Sequence, residues 1–264
     1  MNEAVAAVRP ASTMLLLRDG AQGMEVFMVV RHHQIDFASG ALVFPGGSVD
    51  ADDHEIASSA SFYRGGADLD GLGIAFRVGA IRETFEECGI LLAREKGANA
   101  LVPAAHADAI ADRHRAALNK GERKFSEILA QEGIVLALDL LVPFAHWITP
   151  VGLPKRFDTH FYLAVAPGDQ LGAHDGHESV DSVWVRPNEA VEGAKTGKFK
   201  LVFATERNLI KLGKQTTTAS SLDAARKGGV VTVCPEVIRG EKSRQLKIPV
   251  EAGYDGSVFE FSAS

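Results

Sequence analysis

The stretch from Ile74 to Glu87 constrains the fold most, because its apolar residues recur with the period of an α-helix. With 3.6 residues per turn, four apolar side chains fall on one side of this helix, and we expect that side to face a core. They are Val78, Ile81, Phe85 and Cys88. Gly89 follows, and glycine is common just past a helix end. The sequence therefore predicts a helix over Ile74–Glu87 that packs against a core.

The opposite side of this helix carries three carboxylates, Glu83, Glu86 and Glu87. Like charges at these spacings repel by roughly 0.2–0.5 kcal/mol per pair, and the C-terminal end of a helix favours cations. A hard divalent cation such as Mg²⁺ or Mn²⁺ would offset this cost, because it binds carboxylate and phosphate oxygens together. Arg82 could pair with one carboxylate and hold it in place. The three glutamates alone fit either a metal site or a solvated acidic helix face, and runs of charge more often belong to a surface.

Strand-like and helix-like segments alternate along the rest of the chain. Apolar runs predict strands at Ala11–Leu17, Val26–Arg31, Phe144–Thr149 and Thr159–Val165. Helical patterns cover Ala104–Leu118 and Lys124–Gln131, whereas Asp50–Gly73 is polar and glycine-rich and is expected to form a long loop. The sequence predicts a mixed α/β (α+β) fold. We expect one domain over residues 1–264, with an insertion near 50–73 and a helical cap near 104–131.

Composition narrows the class of protein. The net charge is -6, with 28 Lys and Arg against 34 Asp and Glu, which disfavours a broad face for nucleic acid. The two cysteines, Cys88 and Cys234, exclude a disulfide framework and a multi-cysteine zinc site, and they fit a reducing compartment. Neither a signal peptide nor a membrane-spanning run is evident. We therefore expect a cytoplasmic protein with no nucleic-acid partner and no membrane partner.

The segment from Arg82 to Ile90 resembles the core of the Nudix box, G-x5-E-x7-R-E-U-x-E-E-x-G-U, where U is bulky and aliphatic. Six residues match the box: Arg82, Glu83, Glu86, Glu87, Gly89 and Ile90. Thr84 departs from it at the first U position. Upstream, the run from Phe44 to Gly47 is similar to the strand end and paired glycines that open the box. The resemblance implies a Nudix fold, an α/β/α sandwich with a mixed sheet and helical insertions.

The box is interrupted. In the uninterrupted pattern the glycine precedes the arginine by 14 residues, whereas Gly47 precedes Arg82 by 35, which indicates an insertion of 21 residues. The first glutamate is therefore not where the pattern expects it: Ile74 stands eight residues before Arg82, and Asp53 stands six after Gly47. An interrupted box is similar to the coenzyme A diphosphatase-like branch of the family. Segments around Arg31 and Trp147 also resemble that branch.

The resemblance implies a set of site residues. Glu83, Glu86, Glu87 and the backbone carbonyl of Gly47 are the candidate ligands of Mg²⁺ or Mn²⁺. Arg82 and the three glutamates form the candidate catalytic set, in which either Glu83 or Glu87 could orient or deprotonate the attacking water. Glu178, six residues before Trp184, is a further candidate base or ligand because family members often use an acid from a loop before a late strand.

Three more residues are candidates for binding the substrate. Arg31 and Arg156 could bind substrate phosphates, and Phe157 could stack on a base. Ordinary surface charge is the alternative for the two arginines, and core packing is the alternative for Phe157. The sequence does not decide between these interpretations.

Three functional hypotheses remain open at this point. The first is a Nudix hydrolase that cleaves the diphosphate of coenzyme A or an acyl-coenzyme A with Mg²⁺ or Mn²⁺. The second keeps the enzyme but changes the substrate to ADP-ribose, a dinucleotide or a capped nucleotide. The third is a Nudix-fold nucleotide-binding module without catalysis. A homodimer is expected by analogy with the family alone.

Overall fold

The computed structural model describes residues 6–31, 40–170, 172, 179–239 and 244–261 of the 264-residue chain. Glu178 lies outside the described residues, so its proposed role stays a prediction. The strands within the described residues are, in chain order, β1 (Val8–Gly20), β2 (Gly23–Arg31), β3 (Leu42–Val43), β4 (Gly46–Ser48), β5 (Tyr63–Arg64), β6 (Ala93–Glu95), β7 (Ile134–Ala137), β8 (Val142–Ile148), β9 (Arg156–Val165), β10 (Ser179–Val185), β11 (Thr232–Val233), β12 (Glu236–Arg239), β13 (Arg244–Lys247) and β14 (Val258–Phe261). The helices are α1 (Ala51–Ala57), α2 (Gly71–Cys88), α3 (Ala104–Asn119), α4 (Phe125–Glu132), α5 (Pro187–Lys195), α6 (Phe203–Leu212) and α7 (Thr218–Gly228).

A mixed sheet of eight strands forms the centre of the fold. Its main order is β10-β2-β1-β9-β8-β11, with β3 paired to β2 and β4 paired to β1. β1 runs parallel to β9 and β11 runs parallel to β8, while the other pairs are antiparallel. Two small sheets, β12-β13-β14 and β5-β7-β6, complete the strand pairing.

Each face of the central sheet is covered by helices, because the strands are apolar on both faces. Met14 and Tyr162 pack with α1 to α4 in one core cluster. Leu15 and Phe161, their neighbours along β1 and β9, pack with α5 and α6 in the second cluster. Successive side chains of a strand point to opposite faces of the sheet. The predicted α/β/α sandwich with a mixed sheet is therefore confirmed.

The predicted helix around Ile74 is confirmed and is longer than expected. α2 begins after Asp70, whose side chain accepts a hydrogen bond from the Gly73 backbone N–H. It ends at Gly89, which adopts a φ of 73° that favours glycine. Thr84, the departure from the aliphatic pattern, is fully buried, and its hydroxyl donates to the Ala80 carbonyl at 2.7 Å. This internal hydrogen bond explains why a hydroxyl residue fits in an apolar position.

The prediction of a long loop over Asp50–Gly73 is wrong in its first part, which forms helix α1. Asp50 caps this helix by accepting a hydrogen bond from the Asp53 N–H at 3.0 Å, and the Asp53 carboxylate accepts one from the Asp50 N–H at 2.9 Å. This reciprocal capping stabilises a helix of seven residues that is too short to show a period. The later part adds β5, which pairs with β7.

The two predicted helices after residue 103 are confirmed as α3 and α4. Both pack against the core on the α2 side of the sheet through Ile110, Phe125 and Ile128. Their expected role as a cap over the site stays a prediction. Across the described ranges, no helix has the length and hydropathy required to cross a membrane.

Gly79, in the middle of α2, sets how closely this helix approaches its neighbours. A Cβ on Gly79 would lie 2.9 Å from the Ser12 hydroxyl of β1 and 3.0 Å from the Asp53 carboxylate of α1. Both neighbours are fully buried and cannot move toward solvent. A glycine in the interior of a helix ordinarily costs about 1 kcal/mol relative to alanine. Here the glycine is required by packing.

We expect Gly79→Ala to lower the free energy of unfolding by about 1–3 kcal/mol, because it overpacks a buried contact. Gly71→Ala is the matched control, since nothing lies within 4 Å of its Cβ position at the start of the same helix. Urea unfolding of the two variants measures the difference. A Gly79→Ala protein as stable as Gly71→Ala would contradict this interpretation of the packing.

Candidate active site

Arg82 lies at the centre of the predicted site and uses all of its donors. Its Nε and Nη2 donate to the two oxygens of Asp53, each at 2.9 Å. Nη2 also donates to the Ser48 carbonyl at 2.8 Å, and Nη1 donates to Glu83 at 3.0 Å and to Glu86 at 3.1 Å. A guanidinium has five N–H donors, so none is left for a substrate. The side chain of Arg82 is buried and holds the carboxylates around it in place. The prediction that Arg82 belongs to the catalytic set stays a prediction.

The predicted metal-ligand residues are brought together by α2 and β4. A Cβ on Gly47 would lie 2.6 Å from the Glu83 carboxylate, so this position has room for glycine alone. Beside it, the Gly46 N–H donates to Glu87 at 3.3 Å. A Cβ on Gly46 would lie 2.4 Å from the Ser12 carbonyl, which is backbone and cannot give way. The paired glycines therefore allow β4 to lie directly against the glutamates.

Asp53 is the functional residue whose role the sequence analysis missed. It is fully buried and forms a bidentate ion pair with Arg82 across 29 positions of sequence. Its spacing of six residues after Gly47 is the spacing that the box gives to its first glutamate. The structure thus places a carboxylate at this point of the box, and the insertion follows it. Counting forward from Gly47 was the signal that could have identified Asp53.

The electrostatics of the cluster follow from its burial. Burial raises the pKa of the Glu83 carboxyl from 4.5 to about 8; Arg82 opposes this shift and the Glu86 carboxylate adds to it. Burial also raises the pKa values of Asp53 and Glu86, although Arg82 opposes both shifts. Arg82 lies within 4 Å of four carboxylates, those of Asp50, Asp53, Glu83 and Glu86. The cluster therefore has more negative charge than this guanidinium neutralises.

These residues fit a hard divalent cation. The donor set consists of carboxylate oxygens, which Mg²⁺ and Mn²⁺ prefer. Burial raises the pKa values of Glu83 and Glu86 because it disfavours their ionised forms, and a bound cation would favour those forms. Glu83, Glu86, Glu87 and Gly47 are the residues that would hold this cation.

α3 supports the end of α2 that carries the glutamates. The Arg115 Nε donates to the Glu86 carbonyl at 2.7 Å, and the Asn119 side-chain amide donates to the same oxygen at 3.3 Å. Carbonyls in the last turn of a helix have no partner within the helix, and a cation there also favours the helix dipole. Arg115 therefore offsets part of the cost of placing three glutamates at this end.

The three predicted substrate-binding residues are placed differently from one another. Arg31 ends β2 on the sheet face that carries Phe27 and Val29, which pack with α2, and its Nε is buried without a hydrogen bond to any described residue. Arg156 is buried and donates to the carbonyls of Thr149 and Ala6 at 3.1 and 3.4 Å. Arg156 thus holds backbone at the start of β9.

Phe157 lies on the sheet face away from the glutamates. It alternates along β9 with His160 and Tyr162, which face α2, and it shares its face with Phe161. The register of β9 therefore places Phe157 away from the glutamates, and its proposed stacking on a base stays a prediction.

We expect Asp53→Asn to lower the free energy of unfolding by about 3 kcal/mol, because it leaves the buried Arg82 guanidinium facing an amide N–H₂. Asp50→Asn is the matched control, since Asp50 is half exposed and asparagine caps a helix equally well. Thermal and urea unfolding of both proteins check this. Equal losses in the two variants would show that the Asp53–Arg82 pair does not stabilise the site.

The sequence of this chain is similar to those of known proteins. The family model described as the NUDT19 Nudix domain matches residues 70–204. A Caenorhabditis elegans protein named "Putative nudix hydrolase 7" is 28% identical over 220 residues, which is 81% of this chain and 63% of that protein. The Gallus gallus protein named acyl-coenzyme A diphosphatase NUDT19 is 32% identical over 141 residues, which is 47% of this chain and 36% of that protein.

A solved structure shares the architecture as well. The crystal structure of a NUDIX hydrolase from Alicyclobacillus acidocaldarius matches with a TM-score of 0.67 at 29% identity, covering 83% of this chain and 97% of that one. The matched regions span between 36% and 63% of the length of the curated relatives. Because the family model covers more than half of the chain, and includes α2 with its glutamates, the chain belongs to the Nudix family in the group of the NUDT19 Nudix domain.

Proposed function

We propose that this protein is a metal-dependent hydrolase that cleaves the diphosphate linkage of coenzyme A or an acyl-coenzyme A. The observation that carries the proposal is the clustering of Glu83, Glu86 and Glu87 against the two glycines of β4. The name of the Gallus gallus relative, acyl-coenzyme A diphosphatase, supports this class of substrate. The interrupted box, which resembles that branch of the family, supports it as well.

Different residues of the chain have different roles in the proposed reaction. Glu83, Glu86, Glu87 and the Gly47 carbonyl would hold Mg²⁺ or Mn²⁺, which neutralises the diphosphate and lowers the pKa of water when bound. Arg82 fixes the orientation of Glu83 and Glu86 through its Nη1. Glu83 or Glu87 orients or deprotonates the water. Glu178 stays a further candidate for this role.

Arg31 is the residue we propose for binding a substrate phosphate. Its Nε is buried and forms no hydrogen bond with a described residue, and it lies on the sheet face covered by α2. An anionic phosphate oxygen would satisfy this donor, since arginine pairs well with phosphate. Arg156 is a weaker candidate because two backbone carbonyls already accept from its guanidinium.

We expect Glu87→Gln to lower kcat/KM at least about 100-fold, because one ligand charge is lost where the transition state needs it. Cleavage of coenzyme A to 3',5'-ADP and phosphopantetheine with Mg²⁺ or Mn²⁺ provides the assay. Glu122→Gln, at an exposed glutamate between α3 and α4, is the control and should retain full activity. Removal of the metal with EDTA should abolish turnover, and fresh Mn²⁺ should restore it.

The same assay distinguishes the competing functions. Turnover by Glu87→Gln close to that of the native protein would contradict the assigned mechanism. Faster cleavage of ADP-ribose or a dinucleotide would keep the site and change the substrate. A folded protein that binds metal and turns over none of these compounds would identify a nucleotide-binding module without catalysis.

The raised pKa of Glu83 predicts how pH acts on the metal-free protein. Between about pH 4.5 and 8 the folded state retains a proton on Glu83 that the unfolded chain has released. The free energy of unfolding should therefore fall as the pH rises through this range and change little above it. Urea unfolding in EDTA measures this slope, and Glu83→Gln should remove part of it.

Bound Mg²⁺ should offset the loss of stability that the metal-free protein shows as the pH rises. Because Mg²⁺ requires the ionised carboxylate, the rise in Tm that it causes should grow with pH up to about 8. An equal pH slope in Glu83→Gln and the native protein would show that another group is responsible.

A further inference from the structure

A second group of side chains of the types that bind metals lies on the face of the central sheet that packs against α2. His146 of β8 and His160 of β9 are direct partners across the two strands. Asp158 precedes His160 by two residues and therefore points to the same face. One ligand atom from each of the three residues lies within 4.8 Å of the others. None of them belongs to the Nudix box.

Both imidazole rings are held in place by the protein. They stack on each other with centroids 4.0 Å apart and an interplanar angle of 25°. Phe76 of α2 packs against His160, with centroids 4.1 Å apart. The Nδ1 of His146 hydrogen-bonds with the Thr232 hydroxyl at 2.8 Å, so its Nε2 faces Asp158. Packing thus places the three side chains next to one another before any ligand binds.

We propose that His146, Asp158 and His160 bind a divalent transition-metal ion of the zinc class. Two imidazole nitrogens and one carboxylate oxygen suit Zn²⁺, whereas Mg²⁺ requires an oxygen cage. The side chains are between 16% and 33% exposed, so an ion can enter and water can complete its coordination. The Thr232 hydroxyl contacts the other ring nitrogen of His146, and such a contact commonly fixes the orientation of a ligating histidine.

The ligand atoms are close together but are not yet arranged around an ion. His146 Nε2 hydrogen-bonds with Asp158, and His160 Nε2 lies 3.8 Å from Asp158 Oδ1, which is too long for a hydrogen bond. A tetrahedral Zn²⁺ with ligands at about 2.0–2.2 Å holds its ligand atoms about 3.3–3.6 Å apart. Binding one ion therefore requires the His146–Asp158 pair to separate and the two stacked rings to tilt so that both nitrogens point at the ion.

The donor set of the group distinguishes between classes of ion. Asp158 supplies the single carboxylate of the trio. Ca²⁺ and Mg²⁺ need several oxygen ligands, so this set does not suit them. Arg77 of α2 lies over the ring of Tyr162, 5.0 Å from its centroid, and its positive charge opposes any cation here.

The group is separate from the glutamate site. β1 lies between them: Ser12 pairs with Gly47 of β4 on one side and with His160 of β9 on the other. With about 4.8 Å between neighbouring strands, the backbones of Gly47 and His160 are about 10 Å apart. The two sites share no ligand. The proposal therefore does not depend on the proposed hydrolysis of coenzyme A.

Zinc titration of the full chain tests the proposal. The protein is stripped with EDTA and desalted, and Zn²⁺ is titrated by calorimetry in excess Mg²⁺, which occupies the glutamates. We expect one equivalent of Zn²⁺ to bind. Asp158→Asn and His160→Gln should each weaken this binding at least about 10-fold, and Thr232→Val should weaken it about 10-fold through loss of the orienting hydrogen bond. The visible absorption of bound Co²⁺ gives a second readout.

Two control variants separate this site from the rest of the molecule. His106→Gln changes another histidine beside a carboxylate, 3.5 Å from Glu95, and should bind Zn²⁺ as the native protein does. Glu86→Gln alters the glutamate site and should retain the equivalent bound in Mg²⁺. The proposal is overturned if the native protein binds no Zn²⁺ in excess Mg²⁺. It is equally overturned if Asp158→Asn and Thr232→Val, both folded by circular dichroism, bind Zn²⁺ with native affinity.

Discussion

The buried guanidinium of Arg82 is the constraint on which the site depends. Burying this charge is unfavourable unless every donor is paired, and its acceptors come from α1, α2 and β4. The planar fork fixes the direction of each bond, so the three elements have one relative arrangement in which all five bonds form. The positions of Glu83 and Glu86 follow from that arrangement, as does the close approach of β4.

This network also explains why an interrupted box retains its geometry. The insertion falls between Asp53 and Arg82, so the residues that meet at the guanidinium lie on both sides of it. Lengthening the connection between Gly47 and Arg82 from 14 to 35 residues costs only about 0.8 kcal/mol in loop-closure entropy. The inserted chain is ordered, with β5 paired to β7. Its length therefore adds little strain to the contacts of Arg82.

How much the sequence predicts depends on whether the signal is local. α2 and its three glutamates are predictable because eighteen residues carry both a helical period and a spaced motif. Asp53 has a weaker signal, its spacing of six residues after Gly47, because α1 has only seven residues and the partner Arg82 is reached through tertiary contact. The face on which Phe157 lies is not predictable from the sequence for a related reason. Strand alternation predicts two faces, but the packing of α2 decides which face carries the site.

The trio of His146, Asp158 and His160 is likewise not predictable from the sequence. Its members lie on two strands and have no spacing that a motif would record, since strand pairing alone brings them together. β1 pairs with both β4, which lies against the glutamates of α2, and β9, which carries His160. A set of carboxylate oxygens therefore lies near a set of imidazole nitrogens on one side of the sheet. These donor sets differ in softness, so the carboxylates suit a hard cation such as Mg²⁺ and the imidazoles suit an ion of the zinc class. Register in the central sheet, as well as the Nudix helix, thus determines the metal chemistry available to this protein.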